Sequence, residues 1–240
     1  MQNAFCSFLN CPPVTCHVLD RSWWNILRPS GSNPEMVRRD FALGANGGKV
    51  ESKLTSPTKG YSQMRRWERI LYERTGYPKK YADVVPPTVV ISNNLLAGKC
   101  WAFNGSKGHI GLSLSREIKA THLAFHHPPV EELSNEQMRQ SPASITVWLF
   151  VEGDQIRHLS GRNTVGVEHF LNPSGEIPLW LHGGVFVEML ALQYHPAMGL
   201  EQTFALPAIV TSSLLVLEIL ANRGGEETCM YKVAVHGQSF

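Results

Sequence analysis

"CWAFNGSKGHIGLSLSREI", Cys100 to Ile118, is the stretch whose reading decides the fold. Trp101 and Phe103 stand two residues apart, the spacing that puts side chains on one face of a strand. Gly105 and Gly108 then allow the chain to turn. In "HIGLSLS" the apolar residues Ile110, Leu112 and Leu114 alternate with small or polar ones, the pattern of a strand with one buried face. Cys100, at the head of the stretch, admits four readings: a nucleophile, a metal ligand, half of a disulfide, or a small buried residue. A nucleophilic thiol needs a base that holds it as thiolate, and nothing local marks one. Cys229 lies in a second strand-like segment, "ETCMYKVAVHG". A bridge between sites about 100 residues apart would stabilise by roughly 4 to 5 kcal/mol in a chain-entropy model. Such a bond holds only in an oxidising compartment, and spacing alone does not pair the two residues.

Outward from this stretch, short apolar segments bounded by turn residues continue to the C terminus. "PTVVIS", "ATHLAFHH", "SITVWLF", "VFVEMLALQY", "QTFAL", "LLVLEIL" and "CMYKVAVHG" all read as strands. Two stacked antiparallel sheets bury this many strands most easily, so the expected fold is all-β, an antiparallel β-sandwich. One segment breaks the habit. "SQMRRWERILYERTGY" places Met64, Trp67, Leu71 and Arg74 at helical intervals, with Arg65, Arg66 and Arg69 largely on the opposite, solvated face. It predicts a single short amphipathic helix. Residues 1–36 read as an irregular arm punctuated by Pro12, Pro13, Pro29 and Pro34, with residues 37–240 as the main domain. Residues 152–183 show no sustained period, and their glycines with Pro173 and Pro178 suggest an insertion or long loop.

Composition narrows the function classes. With 22 basic and 20 acidic residues among 240, the formal net charge is +2, which gives no electrostatic reason to propose nucleic acid or a membrane surface as partner. The most apolar run, Ala208 to Ala221, contains Thr211, Ser212, Ser213 and Glu218 and falls short of the roughly 20 apolar residues of a membrane span. The N terminus lacks a basic start and carries Pro12 and Pro13 where a signal peptide has its apolar centre. Cys6, Cys11 and Cys16 are evenly spaced, but the only nearby fourth ligand, His17, is adjacent to Cys16, which makes shared tetrahedral coordination awkward. In "HHPPVEE", His126 and His127 point to opposite faces of a strand, and Pro128 and Pro129 prevent the helix that would join them to Glu131 and Glu132. There is no Gly-x-Ser-x-Gly elbow, no His-Glu-x-x-His helix and no phosphate-cradling glycine loop, so the chain is not expected to be an enzyme.

Five blocks, taken together, carry a resemblance. "DFAL" (Asp40–Leu43), "CWAFNGSKGHIGLSLSREI", "LAFHH" leading to Ser141–Pro142, "QTFAL" (Gln202–Leu206) and "LEILANRGGEETCMYKVAVHG" (Leu217–Gly237) follow one another in the order and approximate spacing of a SUN domain. The resemblance covers about residues 38–237, and "LTSPT" (Leu54–Thr58) looks more like fungal than animal members. It implies a jelly-roll, galactose-binding-like sandwich acting as a binding module of the nuclear-envelope bridge. Such domains sit in the perinuclear space on proteins of the inner nuclear membrane and act as homotrimers. They grip the C-terminal tails of KASH proteins, which links nucleus to cytoskeleton and in fungi attaches spindle pole bodies or telomeres.

The resemblance also assigns residues. His127 and Tyr231 match the family's peptide pocket. Gln140, with Ser141 one place on, stands where the family has its pocket serine, and Glu227 stands near its second pocket tyrosine. Cys100 and Cys229 match the internal disulfide. Ser92 to Lys99 takes the place of a loop whose backbone carbonyls, here those of Ser92, Asn94 and Lys99, hold a monovalent cation such as potassium. No other cofactor is implied. Residues 55–85 take the place of a lid over the peptide, and Thr55 stands near a lid cysteine of animal members, so no covalent clasp is expected. The chain reads as a truncated product or a divergent soluble copy, lacking the span and coiled-coil stalk that precede the domain, with residues 152–183 extra to the family pattern. The alternative from another class is a jelly-roll sugar- or glycoprotein-binding module, in which exposed aromatics such as Trp148 or Trp180 would line a groove.

Overall fold

Strand β3 (Gly108–His126) is the piece around which the fold assembles in a computed structural model that describes residues 39–60, 67, 84–159, 161–171 and 176–239. Its first half pairs with β8 (Ser212–Asn222) on one side, in the register Ile110↔Leu217, and with β1 (Lys49–Glu51) on the other. The register then slips between Ser113 and Ile118, and the second half pairs with β10 (Lys232–Gln238) and β7 (Glu201–Ala205). Such an irregularity bends a strand, and it lets one chain segment serve both layers of a sandwich. β8 continues to β4 (Pro142–Glu152), β6 (Gly184–Gln193) and the short β5 (Thr164–Gly166), giving the order β1-β3-β8-β4-β6-β5. β2 (Trp101–Asn104) and β9 (Glu227–Met230) form a separate two-stranded ribbon. Among the described residues every pairing is antiparallel, as expected for the all-β sandwich.

The main core lies between the layers. Ile110, Leu112 and Leu114 of β3, Ile145, Val147 and Leu149 of β4, and Val233 and Val235 of β10 meet there, with Trp101 and Phe103 fully buried beside them. The alternation in "HIGLSLS" is the signature of that one-sided burial. β4 and β8 differ, because their other faces are buried too. Trp148, Phe150, Leu214 and Val216 join Phe186 in a second cluster that is closed by Val167, Phe170 and Leu181. Those three closing residues come from 152–183. The segment is therefore ordered cover for the sheet, built from 3-10 turns at Gly153–His158, Val167–Phe170 and Leu179–Leu181 and from β5. Strands buried on both faces read as near-continuous apolar runs, which is why "SITVWLF" and "LLVLEIL" hardly alternate. Leu54 completes the second cluster by lying on Gly111, where an added Cβ would stand 2.6 Å from the Leu54 Cβ.

Two sequence expectations are corrected. "PTVVIS" is a 3-10 helix, Pro87–Ile91, and not a strand. Pro86 and Pro87 have no N–H for a ladder, while proline suits a helix start, and Val90 and Ile91 are buried without any pairing partner. In "CMYKVAVHG" the expected strand divides at Tyr231, which lies between β9 and β10. The arm at 1–36 with its cysteines and nearly all of the expected helix at 62–77 lie outside the described residues. A different helix, α1 (Asn135–Arg139), is described, held by a reciprocal cap in which Gln137 N–H donates to Ser134 Oγ and Ser134 N–H donates to Gln137 Oε1. Among the described residues, no helix is long and apolar enough to cross a membrane.

Candidate peptide pocket

β3 runs out at His126, and Pro128 and Pro129 stop any continuation of the ladder. His127 sits at that stop, almost wholly buried, with its N–H donating to the Leu200 carbonyl at 2.9 Å. Its ring meets Tyr231 edge to face at 4.9 Å between centroids, and Tyr194 at 6.5 Å. Both tyrosines are buried. Together with Phe125, Pro142 and Met230 they line a cavity of ≈ 10 Å³, room for about one water molecule. His127 Nδ1 lies 2.8 Å from the Pro128 carbonyl, while Nε2 is buried with no hydrogen-bond partner among the described residues. Burial pulls the His127 pKa below its usual value, against a smaller upward pull from the Pro128 carbonyl. Burial likewise pushes the Tyr194 and Tyr231 hydroxyls up, so both stay protonated at neutral pH.

The disulfide that the resemblance implied is present: Cys100 and Cys229 are bonded across 129 residues with Cα atoms 5.5 Å apart. Bonded in this way, Cys100 has no thiol for nucleophilic chemistry. The bridge packs against Tyr231, Leu95 and Leu133, and so fixes the floor of the pocket. Ser92 to Lys99 lies over it. Gly98 N–H donates to the Tyr231 hydroxyl at 3.1 Å, and Lys99 N–H donates to the Leu96 carbonyl at 3.0 Å. Gly98 occupies the third position of that turn at φ +76°, a conformation in which glycine pays no side-chain clash. Lys232 Nζ donates to Asn93 Oδ1 at 2.7 Å, tying the same loop to β10.

Gln140, Ser141 and Glu227 are placed differently. Gln140 Nε2 donates to Glu227 Oε1 at 2.9 Å, and Lys59 forms an ion pair with the same carboxylate. Glu227 opens β9, whereas Tyr231 follows its last residue, a distance of about 13 Å along an extended chain. Glu227 and Tyr231 therefore sit at opposite ends of one strand, while the Gln140 carbonyl accepts from Cys229 N–H at 2.8 Å and Ser141 precedes Pro142 of the pocket lining. Glu227 is already neutralised and lies well away from His127. Ser141 is buried, with its hydroxyl donating to the Gln137 carbonyl at 3.4 Å. The root of the expected lid is anchored nearby: Ser56 N–H donates to the His109 carbonyl and Lys59 N–H to the Ala102 carbonyl, each at 2.8 Å. Tyr194 and Arg223 escaped sequence reasoning. The Arg223 guanidinium donates to the Tyr194 carbonyl, and its Nε is buried without a partner among the described residues. Tyr194 ends "VFVEMLALQY" and looks like one more sheet residue; only the fold sets it against His127.

Of the two aromatics named for a sugar groove, one is exposed and one is not. Trp148 is buried beneath His169 and Phe170, with its indole N–H donating to Glu218 at 2.8 Å. Trp180 is exposed.

Burial lowers the pKa of His109, His126 and His127 alike. A histidine that is harder to protonate when folded contributes stability that is complete above the unfolded-state value and lost as pH falls below it. The expected outcome is a urea midpoint that is steady above about pH 7 and declines below about pH 6.5. Equilibrium unfolding across that range checks it, and His127→Gln should flatten part of the decline.

The arrangement is a β-sandwich with a small aromatic pocket whose floor is closed by a disulfide. The profile of the family described as Sad1 / UNC-like C-terminal matches residues 81–170. The chain is 26% identical over 203 residues to the nuclear migration and anchoring protein unc-84 of Caenorhabditis elegans, covering 83% of this chain and 15% of that protein. It is 30% identical over 156 residues to SUN domain-containing protein 3 of Bos taurus, covering 64% and 36%. To the human sperm-associated antigen 4 protein it is 25% identical over 210 residues, covering 85% and 40%. By these matches the chain is similar to SUN-domain proteins. It spans well under half the length of these relatives. Among solved structures it is similar to the family 32 carbohydrate-binding module of Streptococcus pneumoniae EndoD, at TM-score 0.44 and 8% identity, over 83% of this chain and 100% of that one. That likeness is too loose to bear on function.

Proposed function

We propose that this domain binds the C-terminal tail of a KASH protein in the perinuclear space, as the inner half of a bridge from the nuclear envelope to the cytoskeleton. The observation that carries the reading is the buried His127, Tyr194 and Tyr231 cluster, which holds an unpartnered ring nitrogen beside the disulfide. An extended tail gains main-chain hydrogen bonds when it adds to a sheet edge or lid, and its end is fixed by a few convergent groups. Lys232 lines the pocket and Arg223 lies behind Tyr194, so the surroundings favour a negatively charged terminus. Glu227, paired with Lys59, does not oppose it. Gln140 and Ser141 act as supports, Gln140 through its carbonyl on Cys229 and Ser141 beside Pro142 of the pocket lining.

Three copies binding three tails would raise the avidity of a weak single contact, and the homotrimer belongs to the proposal in that sense. Neutral carbonyl oxygens such as those of Ser92, Asn94 and Lys99 suit potassium. The Gly98 bond to Tyr231 would let such an ion stiffen the pocket wall.

The test is a titration of labelled KASH C-terminal peptides against the full chain, each with its natural end and with one residue added. A free terminus is expected to bind at least about tenfold more tightly than the extended peptide, a loss of a charge-assisted contact. His127→Ala should weaken binding to a similar degree. Equal binding of both peptides to the wild type would make the terminal-pocket reading wrong. Light scattering of the full chain tests the trimer directly.

A further inference from the structure

The link from β2 to β3 opens with Asn104-Gly105-Ser106, an asparagine with a hydroxyl two places on and a residue other than proline between them. No other asparagine of the chain has this arrangement. At Asn172 the intervening residue is Pro173, and at Asn163 the hydroxyl of Thr164 comes one place too early. Such a triplet is the acceptor for N-linked oligosaccharides when it lies on a surface loop of a chain in the secretory lumen.

The fold puts it on the surface. Asn104 is the last residue of β2, and since Trp101 and Phe103 face the core, Ala102 and Asn104 face away from it. Asn104, Gly105 and Ser106 are all exposed. A Cβ built at Gly105 would meet nothing within 4 Å, so the tip stands open to solvent. Nor does the local structure need either polar side chain. Asparagine is depleted in strands. The bend is made by Gly105 at φ +83°, with its N–H donating to the Glu226 carbonyl at 2.9 Å and its carbonyl accepting from the Thr228 hydroxyl at 2.7 Å. The Asn104 amide and the Ser106 hydroxyl have no hydrogen-bond partner among the described residues. A separate observation bears on the compartment: Cys229, in the strand that pairs with β2, is bonded to Cys100, and such a bridge persists where thiols are oxidised, as in the secretory lumen.

We propose, on the lumenal location that the functional reading entails, that Asn104 carries an N-linked oligosaccharide. In the transfer, Asn104 Nδ2 forms a bond to the anomeric carbon of the first sugar of a lipid-pyrophosphate-linked oligosaccharide. The bond from that carbon to the pyrophosphate oxygen breaks, the lipid pyrophosphate leaves with the electron pair, and one amide proton passes to solvent; nothing is oxidised or reduced. The register keeps the glycan away from the pocket. Asn104 pairs with Glu227, the first residue of β9, whereas Tyr231 follows the last. The sugar stands beside Lys59, the ion-pair partner of Glu227 at the root of the expected lid, and leaves the Tyr231 end of the ribbon free.

Glycopeptide mass spectrometry of the full-length protein from its own cells tests this, with thiol alkylation and peptide-N-glycosidase digestion of the same sample. The expected result is a glycan on the peptide that holds Asn104, released by the glycosidase, lost in Asn104→Gln and in Ser106→Ala, and kept in Ser106→Thr. An unmodified Asn104 in protein whose Cys100 and Cys229 resist alkylation would overturn the proposal and leave the lumenal location standing. An unmodified Asn104 with both thiols free would defeat the proposal and the location together. A glycan that survives both Asn104→Gln and Ser106→Ala lies elsewhere, and the assignment to Asn104 would then be wrong.

Discussion

Replacing Cys100 and Cys229 together by alanine is expected to lower the stability of the domain by about 4–5 kcal/mol, the chain-entropy value for a loop of this length. The bridge spans 129 residues and so restricts more than half of the unfolded chain. It also joins the start of β2 to β9, a ribbon of four residue pairs that is attached to the main sheets by few other pairings. For a domain of this size the loss corresponds to a fall in Tm of roughly 10–20 °C. Calorimetry of the oxidised protein, the reduced protein and the double variant measures it. Reduced wild type and the variant should melt together. A variant that melts within a degree or two of the oxidised protein would show that the ribbon is held by packing alone. The effect should reach the pocket as well, because Cys229 is two residues from Tyr231 and packs against it.

The second large effect concerns the cover at 152–183. Phe170 is 1% exposed and contacts the rings of Trp148, His109 and Phe186. Phe170→Ala is expected to cost about 3–5 kcal/mol, the usual range for emptying a buried aromatic site. It would also open the face of β4 and β8 that carries Trp148 and Val216. Trp180, in the same segment but 51% exposed, is the control: Trp180→Ala should stay within about 0.5 kcal/mol of wild type. Denaturant unfolding separates the two outcomes. Equal, small effects of both substitutions would mean that the segment is dispensable decoration, contrary to the second core described above.

Much of the architecture could be read from period and turn chemistry. Ile110, Leu112 and Leu114 alternate because one side of β3 faces the core, and a single face is a local property of a strand. The failure at "PTVVIS" is equally local in origin. β-branched residues favour a strand, but Pro86 and Pro87 remove two donors, and the competing rule prevails. The cover segment was beyond local reading because its short turns have no period. They are stabilised by Trp148 and Phe186, which lie elsewhere in the chain.

The sequence by itself determined the β class, the likeness to SUN-domain proteins and the pairing partners Cys100 and Cys229, which sit in contiguous motifs. Only the tertiary structure decided that Gln140 and Glu227 pair with each other at the start of β9, that Tyr194 stands against His127, and that His127 Nδ1 meets the Pro128 carbonyl. The physical reason is the same in each case. Side-chain type is written locally, but its partner, and with it the direction of every hydrogen bond and the sign of every pKa shift, is set by residues brought together from distant parts of the chain.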